Sequence, residues 1–480
     1  MRTTLLAFAA TAALLTSCSE TQDPAPSAEN LTRHIKTLSS DEFEGRQPST
    51  PGEEKTVAYL EAEFAKAGFA PGGVGGTWRQ PVTLNRFAVT GTPTISLTAG
   101  GMTRALTQGE EAVVSTRGAT EPQISIQNAP LVFVGYGVSA PDLGWDDYKG
   151  VDLKGKVAVV LVNDPDFETP EPGKFNGRAI TYYGRHTYKY EEMARRGAAG
   201  TLVVHEDAPA SYGWATVKNS WSGERRDIQH ADIRALRAPL EGWIQLTTAQ
   251  ELFKASGLDF AAAKESAKTA AFQPVELPGA AFSTAFAVET GATVTNNVLA
   301  ILEGTARPKE TVIYTAHWDH LGVGSPDANG DRIFNGAVDN ATGTAALIEL
   351  ARMFASAPKP ERSIVMLVVT AEEGGLLGSE FYASNPIYPL ETTVADLNMD
   401  AIRVVGASRD LQVIGSGKNE LEDMLSVAAK SRNMVLVPDA NPEAGIIYRS
   451  DQFNFAKKGV PVLYVKGVST AERFQASVAE

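Results

Sequence analysis

The 480-residue chain holds one cysteine, Cys18, so no disulfide can form within it. It needs none: a chain of this length buries a large core, and the length suggests two or three domains. Basic residues are in the minority, 43 Lys and Arg against 57 Asp and Glu, for a net charge of −14. That balance argues against a long nucleic-acid partner, because phosphate binding asks for a basic face. Histidine is scarce: six in all, and none after His320. Beyond the opening segment no apolar run is long enough to span a bilayer. The remaining composition, 43% hydrophobic and 21% charged, is that of an ordinary globular protein.

The opening segment, MRTTLLAFAATAALLTSCSE, reads as a targeting signal. Arg2 precedes an apolar run too short for a membrane span, and small residues follow. Leu15-Thr16-Ser17-Cys18 resembles a bacterial lipobox. The resemblance implies cleavage before Cys18 and acylation of its thiol and new amine. Residues 1–18 are thus taken as lipoprotein signal and anchor cysteine. The alternative is a plain signal peptide; either way the protein is exported. Ser19 and Glu20 follow the cysteine with no Asp to retain it at the inner membrane. The expectation is a lipid anchor on the outer membrane. Residues 19–30, polar with Pro24 and Pro26, read as a tether.

Leu31, Ile35 and Leu38 make one helical stripe, and Val57, Leu60, Phe64 and Ala67 another. Pro51-Gly52 before two acids is a helix start. Alternation from about Pro81 to Glu111 suggests strands. The stretch from about Pro130 to Glu206 gives strand, turn, buried strand, helix and strand, with Gly197 as a helix stop. From Thr295 onward strands and helices alternate. ETVIYTAHWD and ERSIVMLVVTAEE read as strands, the second continuous enough to be buried on both faces. ATGTAALIELARMFA reads as a helix, and GVPVLYVKG as a last strand.

Four sites fall at the ends of successive apolar strands: His317 with Asp319, then Asp339, then Glu372-Glu373, then Asp400. In an open α/β sheet, ligands bind beyond the carboxyl ends of the strands, so all four point at one crevice. Burying so many carboxylates together is costly unless cations neutralise them. Mixed imidazole and carboxylate donors suit zinc. Each site has a plainer reading alone. Asp339 fits an N-cap, Glu372-Glu373 a helix-start charge pair, Asp400 a turn cap. A lone histidine on a strand end is more often structural, and His34, His186, His205, His230 and His320 are placed in that class. The four sites together favour a shared metal centre.

The segments YTAHWDHLG, NGAVDNATGTAALIELAR, VVTAEEGGLLGSEFYA, LNMD and YRSDQFNFAKKGVPVLY resemble peptidase family M28, the aminopeptidase and glutamate-carboxypeptidase group. SSDEFEGRQPSTPGEEKTVAYLEAEFAKAGFAPGG is similar to the N-terminal segment of exported members. The Pro130–Glu206 stretch resembles a protease-associated (PA) domain. The resemblance implies an α/β fold: a mixed central sheet flanked by helices, of the zinc exopeptidase type, with an inserted mainly-β PA-like domain. The peptidase part would take residues 31–111 and 279–480, and the insert residues 112–278. It implies that His317 and Asp400 bind one zinc, Asp339 bridges two, and Glu373 binds the second. Glu372 would be the general base, and Asp319 would orient the His317 ring through a hydrogen bond. Tyr448 is a candidate oxyanion donor. The expected reaction is hydrolysis of peptide substrates at a free N-terminus. A carboxypeptidase or dipeptidase of the same fold, and a binding module without catalysis, are the alternatives.

One departure bears on the second zinc. The family takes a last ligand from a histidine beyond the segment matching GVPVLYV, and this sequence has none there. The expectation is a shortened C-terminus and a weak second site. Completion by water or Asp451, or loss of catalysis, are the other readings. Gln452 stands where many relatives carry histidine, and is not taken as a ligand.

Overall fold

The computed structural model describes residues 25–169, 173–402 and 408–468. The expected signal, Cys18 and most of the expected tether lie outside these residues. Among the described residues, no helix is long and apolar enough to cross a membrane.

The fold is α/β, built on a mixed sheet. At its centre three strands run parallel: Arg362–Val369, Arg307–His317 and Thr393–Asn398. Val462–Val468 continues the parallel set beside Thr393–Asn398. Strand Arg362–Val369 is buried on both faces, with Val365, Met366, Leu367, Val368 and Val369 all at 0% exposure. Each such side chain stabilises the fold by about 1.5–3 kcal/mol, which makes this strand a rigid base for whatever follows it. Helix Thr342–Ser356 packs Leu347, Ile348 and Ala351 on one face of the sheet, together with Val57, Leu60 and Phe64 of helix Pro51–Ala67. That second helix starts at Pro51 and stops at Gly68, whose φ of 94° is left-handed.

The 28-residue strand Val275–Leu302 joins the two halves of the molecule. Its C-terminal part pairs antiparallel with Arg362–Val369, and its N-terminal part with Gln123–Phe133. Beyond it the sheet continues through Val157–Leu161, Gly200–His205, Leu240–Gln245 and Ala112–Ser115. This part has its own core around Phe133, Leu202, Phe253 and Phe282. Residue 278, where the sequence reading places the end of the insert, lies within Val275–Leu302, at an irregularity in its pairing with Gln123–Phe133. Arg79–Ala99, 21 residues long, runs antiparallel alongside Val275–Leu302.

Candidate metal centre

Because the central strands are parallel, their C-terminal ends share one edge of the sheet, and the chemistry collects there. His317 is the last residue of its strand and fully buried. Its Nε2 lies 3.1 Å from Asp339 Oδ1, 3.5 Å from Asp400 Oδ1 and 3.9 Å from Glu372 Oε2. Yet this buried nitrogen makes no aligned hydrogen bond. One donor atom each from His317, Asp339 and Asp400 falls within 4.8 Å of the others. On the other side of the ring, Nδ1 sits 3.1 Å from the Asp319 carbonyl. Donation there leaves the Nε2 lone pair of a neutral ring facing the carboxylates.

A second group shares Asp339. His320, Asp339 and Glu373 also bring one donor atom each within 4.8 Å, and His320 Nδ1 is 2.6 Å from Glu373 Oε1. The sequence reading placed His320 among the structural histidines; the structure sets it beside Asp339 and Glu373. Asp451 is fully buried, with both oxygens unpartnered, and belongs to neither group. Gln452 is buried away from the groups, accepting from Asn398 Nδ2 at 2.7 Å and donating to the Ile447 carbonyl at 3.0 Å. His34, His205 and His230 bond Tyr59, the Tyr212 carbonyl and Asp227.

Three plainer readings do not describe the observed geometry. The N-cap of helix Thr342–Ser356 is Ala341, and Asp339 is half exposed beside His317. Glu372 and Glu373 lie in a turn before helix Leu377–Ser384, outside its first turn. Asp400 accepts from Ser450 Oγ at 2.6 Å and faces His317.

Asp319 acts differently from the expectation. Its carboxylate is 3.8 Å from His317 Nδ1, because its oxygens accept the backbone N–H groups of Glu372 at 3.0 Å and Glu373 at 3.3 Å. It therefore holds the Glu-Glu turn against the histidine strand, while its carbonyl orients the ring.

Two further residues brace the site. Arg46, 1% exposed, donates to the carbonyls of Trp318 at 2.9 Å, Asn335 at 2.8 Å and Gly336 at 2.8 Å, and to that of Leu38. Burial depresses its pKa to about 10, against the opposing pull of Asp319, Asp339 and Glu373. Asn340 ties the Asp339 turn to the Asp400 turn. Its Oδ1 accepts from Gly343 and Ala401 N–H, at 2.9 and 3.2 Å, and its Nδ2 donates to the Met399 carbonyl at 3.0 Å. Gly343 is required by this closeness: a Cβ there would stand 2.2 Å from the Met399 oxygen.

The electrostatics ask for a cation. Burial, and then Asp451 and Asp400, push the Glu372 carboxyl well above its usual range, although His317 opposes them. Burial resists charge on His317, but Glu372, Asp339 and Asp400 outweigh it and raise the imidazole well above its usual value. Clustered carboxylates around an unpartnered ring nitrogen are what a divalent metal would satisfy. One nitrogen with carboxylate oxygens fits zinc. Glu372, Glu373 and Tyr448 open on a cavity of about 300 Å³ that reaches the insert.

Residues 297–477 match the model of peptidase family M28. A segment of 111 residues is 36% identical to "Aminopeptidase NAALADL1" of Mus musculus, covering 22% of this chain and 13% of that protein. Another, of 105 residues, is 35% identical to a "Probable zinc metalloprotease" of Pyrenophora teres f. teres, covering 22% of each. The chain thus spans less than a quarter of either relative's length. Among solved structures, an aminopeptidase from Aneurinibacillus sp. strain AM-1 is 20% identical, with a TM-score of 0.49 over 93% of this chain and 86% of that one. The zinc aminopeptidase of Bacillus subtilis is 16% identical, with a TM-score of 0.44 over 94% and 87%.

Proposed function

We propose, from the match of residues 297–477 to the model of peptidase family M28, that this chain is a zinc-dependent exopeptidase that removes amino-terminal residues from peptides. The observation that carries the reading is the buried, unpartnered Nε2 of His317 among Asp339, Asp400 and Glu372. His317, Asp339 and Asp400 would hold one zinc. His320, Asp339 and Glu373 would hold a second, with Asp339 shared and His320 as the nitrogen donor. When bound, zinc supplies Lewis acidity toward a scissile carbonyl and makes water acidic enough to attack near neutral pH.

The chain's own residues do the rest. Glu372 lies beside the first group and carries a carboxyl whose proton affinity is raised by burial. Its Oε2 takes the proton of the attacking water and returns it to the leaving amine. Asp319 fixes the Glu372 backbone, so this carboxylate does not wander from the reacting atoms. Asn340 and Arg46 fix the turns that carry Asp339 and Asp400. Tyr448 lines the same cavity and offers a phenol O–H to the developing oxyanion.

The test is zinc content by atomic emission alongside amino-acid release from a mixed peptide set. Glu372→Gln should keep the wild-type zinc content and lose at least about 100-fold in release, the scale of general-base catalysis. Unchanged release in that variant, or none from the wild type with zinc fully loaded, refutes the hydrolase.

A further inference from the structure

Five arginines line the cavity that Glu372 opens on: Arg117, Arg185, Arg225, Arg237 and Arg449. Two are matched by carboxylates. Arg117 forks onto Glu241 at 2.9 and 3.0 Å, and Arg237 onto Asp227 at 2.6 and 3.1 Å. Among the described residues, the other three have no anionic partner. Arg185 makes no side-chain hydrogen bond or salt bridge among the described residues. Arg225 donates Nη1 to the Ser220 carbonyl at 2.9 Å and stacks over Trp221, 4.7 Å from its ring centre. Arg449 donates Nη2 to Ser211 Oγ at 3.2 Å and lies 6.0 Å from the Tyr212 ring. In all three, Nε is buried without a partner.

Neutral and aromatic groups thus hold these side chains in place while leaving donors unused. Of the carboxylates on the same wall, Glu191 is taken up by Tyr182 and Lys457. Glu380 forms no salt bridge with any of the three, and Glu372 and Glu373 face the metal ligands. Gathering unpaired guanidinium groups in one half-open cavity costs free energy that a bound anion would recover. Their fork geometry matches a carboxylate. About 300 Å³ is room for one or two residues of a peptide.

We propose that Arg185, Arg225 and Arg449 form a carboxylate-binding subsite in the cavity that Glu372 also lines. It selects short peptides that carry a carboxylate close to the scissile bond. This rests on the exopeptidase reading for its consequence, but not for the binding itself. The carboxylate comes either from the free C-terminus of a di- or tripeptide or from an acidic side chain.

The experiment uses the zinc-loaded full chain and four peptides: Ala-Ala, Ala-Ala-amide, Ala-Glu-amide and Ala-Gln-amide. Release of alanine gives kcat/KM, and calorimetric titration of chelator-treated protein gives affinity without catalysis. The subsite predicts at least a tenfold preference for a carboxylate peptide over its neutral partner. Preference within the first pair assigns the C-terminus as the source; preference within the second assigns the side chain. In Arg185→Gln/Arg449→Gln the preferred ratio should fall toward one. The melting temperature of that variant should hold or rise, since no ion pair is lost; a structural arginine would lower it. Equal handling of both pairs by the wild type, or a preference that survives in the double variant, overturns the proposal. If no peptide is cleaved but calorimetry still shows the preference, the subsite stands and the hydrolase falls.

Discussion

Replacing Arg237 by methionine tests how the wall of this cavity is held. Asp227 is fully buried on the short strand Arg225–Ile228, beside Arg225 of the proposed subsite. Its carboxylate accepts two bonds from Arg237 and lies 3.3 Å from His230 Nε2. Burial alone would lift this carboxyl; the Arg237 charge overrides it and holds it below the usual range. In the wild type the pair therefore contributes stability above about pH 4, the unfolded-state value, and loses it as the pH falls through the depressed folded value. Arg237→Met keeps the apolar stem and takes from the buried charge its main counter-ion, leaving His230 and the more distant Arg117, a loss of about 3–5 kcal/mol. The penalty belongs to the ionised form, so the variant escapes it by taking up a proton. At about 1.4 kcal/mol per pKa unit, a loss of about 4 raises the carboxyl by about three units from its depressed wild-type value, back to near the unfolded value. The variant therefore loses the pair's pH dependence: its deficit is full from about pH 8 to about pH 5 and shrinks only as the pH falls below about 4, where the wild type loses the pair's contribution. Urea unfolding in chelator, at about pH 8 and pH 3, measures it without metal loss as a confounder. Asp227→Leu/Arg237→Met should recover most of the deficit near pH 8. A deficit below about 1 kcal/mol near pH 8, or one that does not shrink toward pH 3, refutes the reasoning.

Two other outcomes follow from the same geometry, and a third from the sequence. His320→Ala should lower bound zinc from about two per chain to about one, read by atomic emission after gel filtration; two ions retained would show that another group completes the second site. Asn340→Leu leaves two backbone N–H groups and one carbonyl without partners at a tight contact. It should destabilise by about 2–4 kcal/mol and weaken zinc binding by about 10–100-fold, so wild-type zinc affinity by chelator competition would contradict it. Cys18→Ala should abolish acylation and release the protein from the membrane fraction, a partition that immunoblotting follows; unchanged membrane association would remove the anchor.

The edge of the sheet where the chemistry gathers was legible because two signals coincide in the chain. Continuous apolar runs as short as Ser363–Val369 read as strands buried on both faces, and helices between them favour parallel order. Parallel order places residues just past the runs at one edge, so His317, Asp339, Glu372 and Asp400 could be gathered before any distance was known. What stayed hidden depends on contacts with no local period. His320 follows His317 by three residues, and nothing in the spacing says that it turns toward Glu373 rather than into the core. Arg46 reaches the carbonyls of Asn335 and Gly336 across 289 and 290 residues of sequence. The Asp319 carboxylate could have met the ring or the amides after strand Arg362–Val369, and only the depth of that turn decides for the amides.

The arginines make the same point for specificity. Arg185, Arg225 and Arg449 come from different elements, and each sequence neighbourhood offers a plausible acidic partner: Glu191, Glu224 and Asp451. The fold gives those acids other surroundings. Glu191 bonds Tyr182, Glu224 takes Arg86 and Arg226, and Asp451 is buried without a partner. Glu372 and Arg449 come from the region that matches the family model, Arg185 and Arg225 from the chain before it. Arg449 on Ser211 and Lys457 on Glu191 tie the two regions together beside the cavity. A subsite held between them can measure a substrate's length. A carboxylate one residue too far from the scissile bond cannot reach the arginines while its amide sits at Glu372. Selectivity should therefore fall steeply as alanines are added between the two in an amide-capped series bearing one glutamate; a flat response would mean that the two regions are not held at fixed distance.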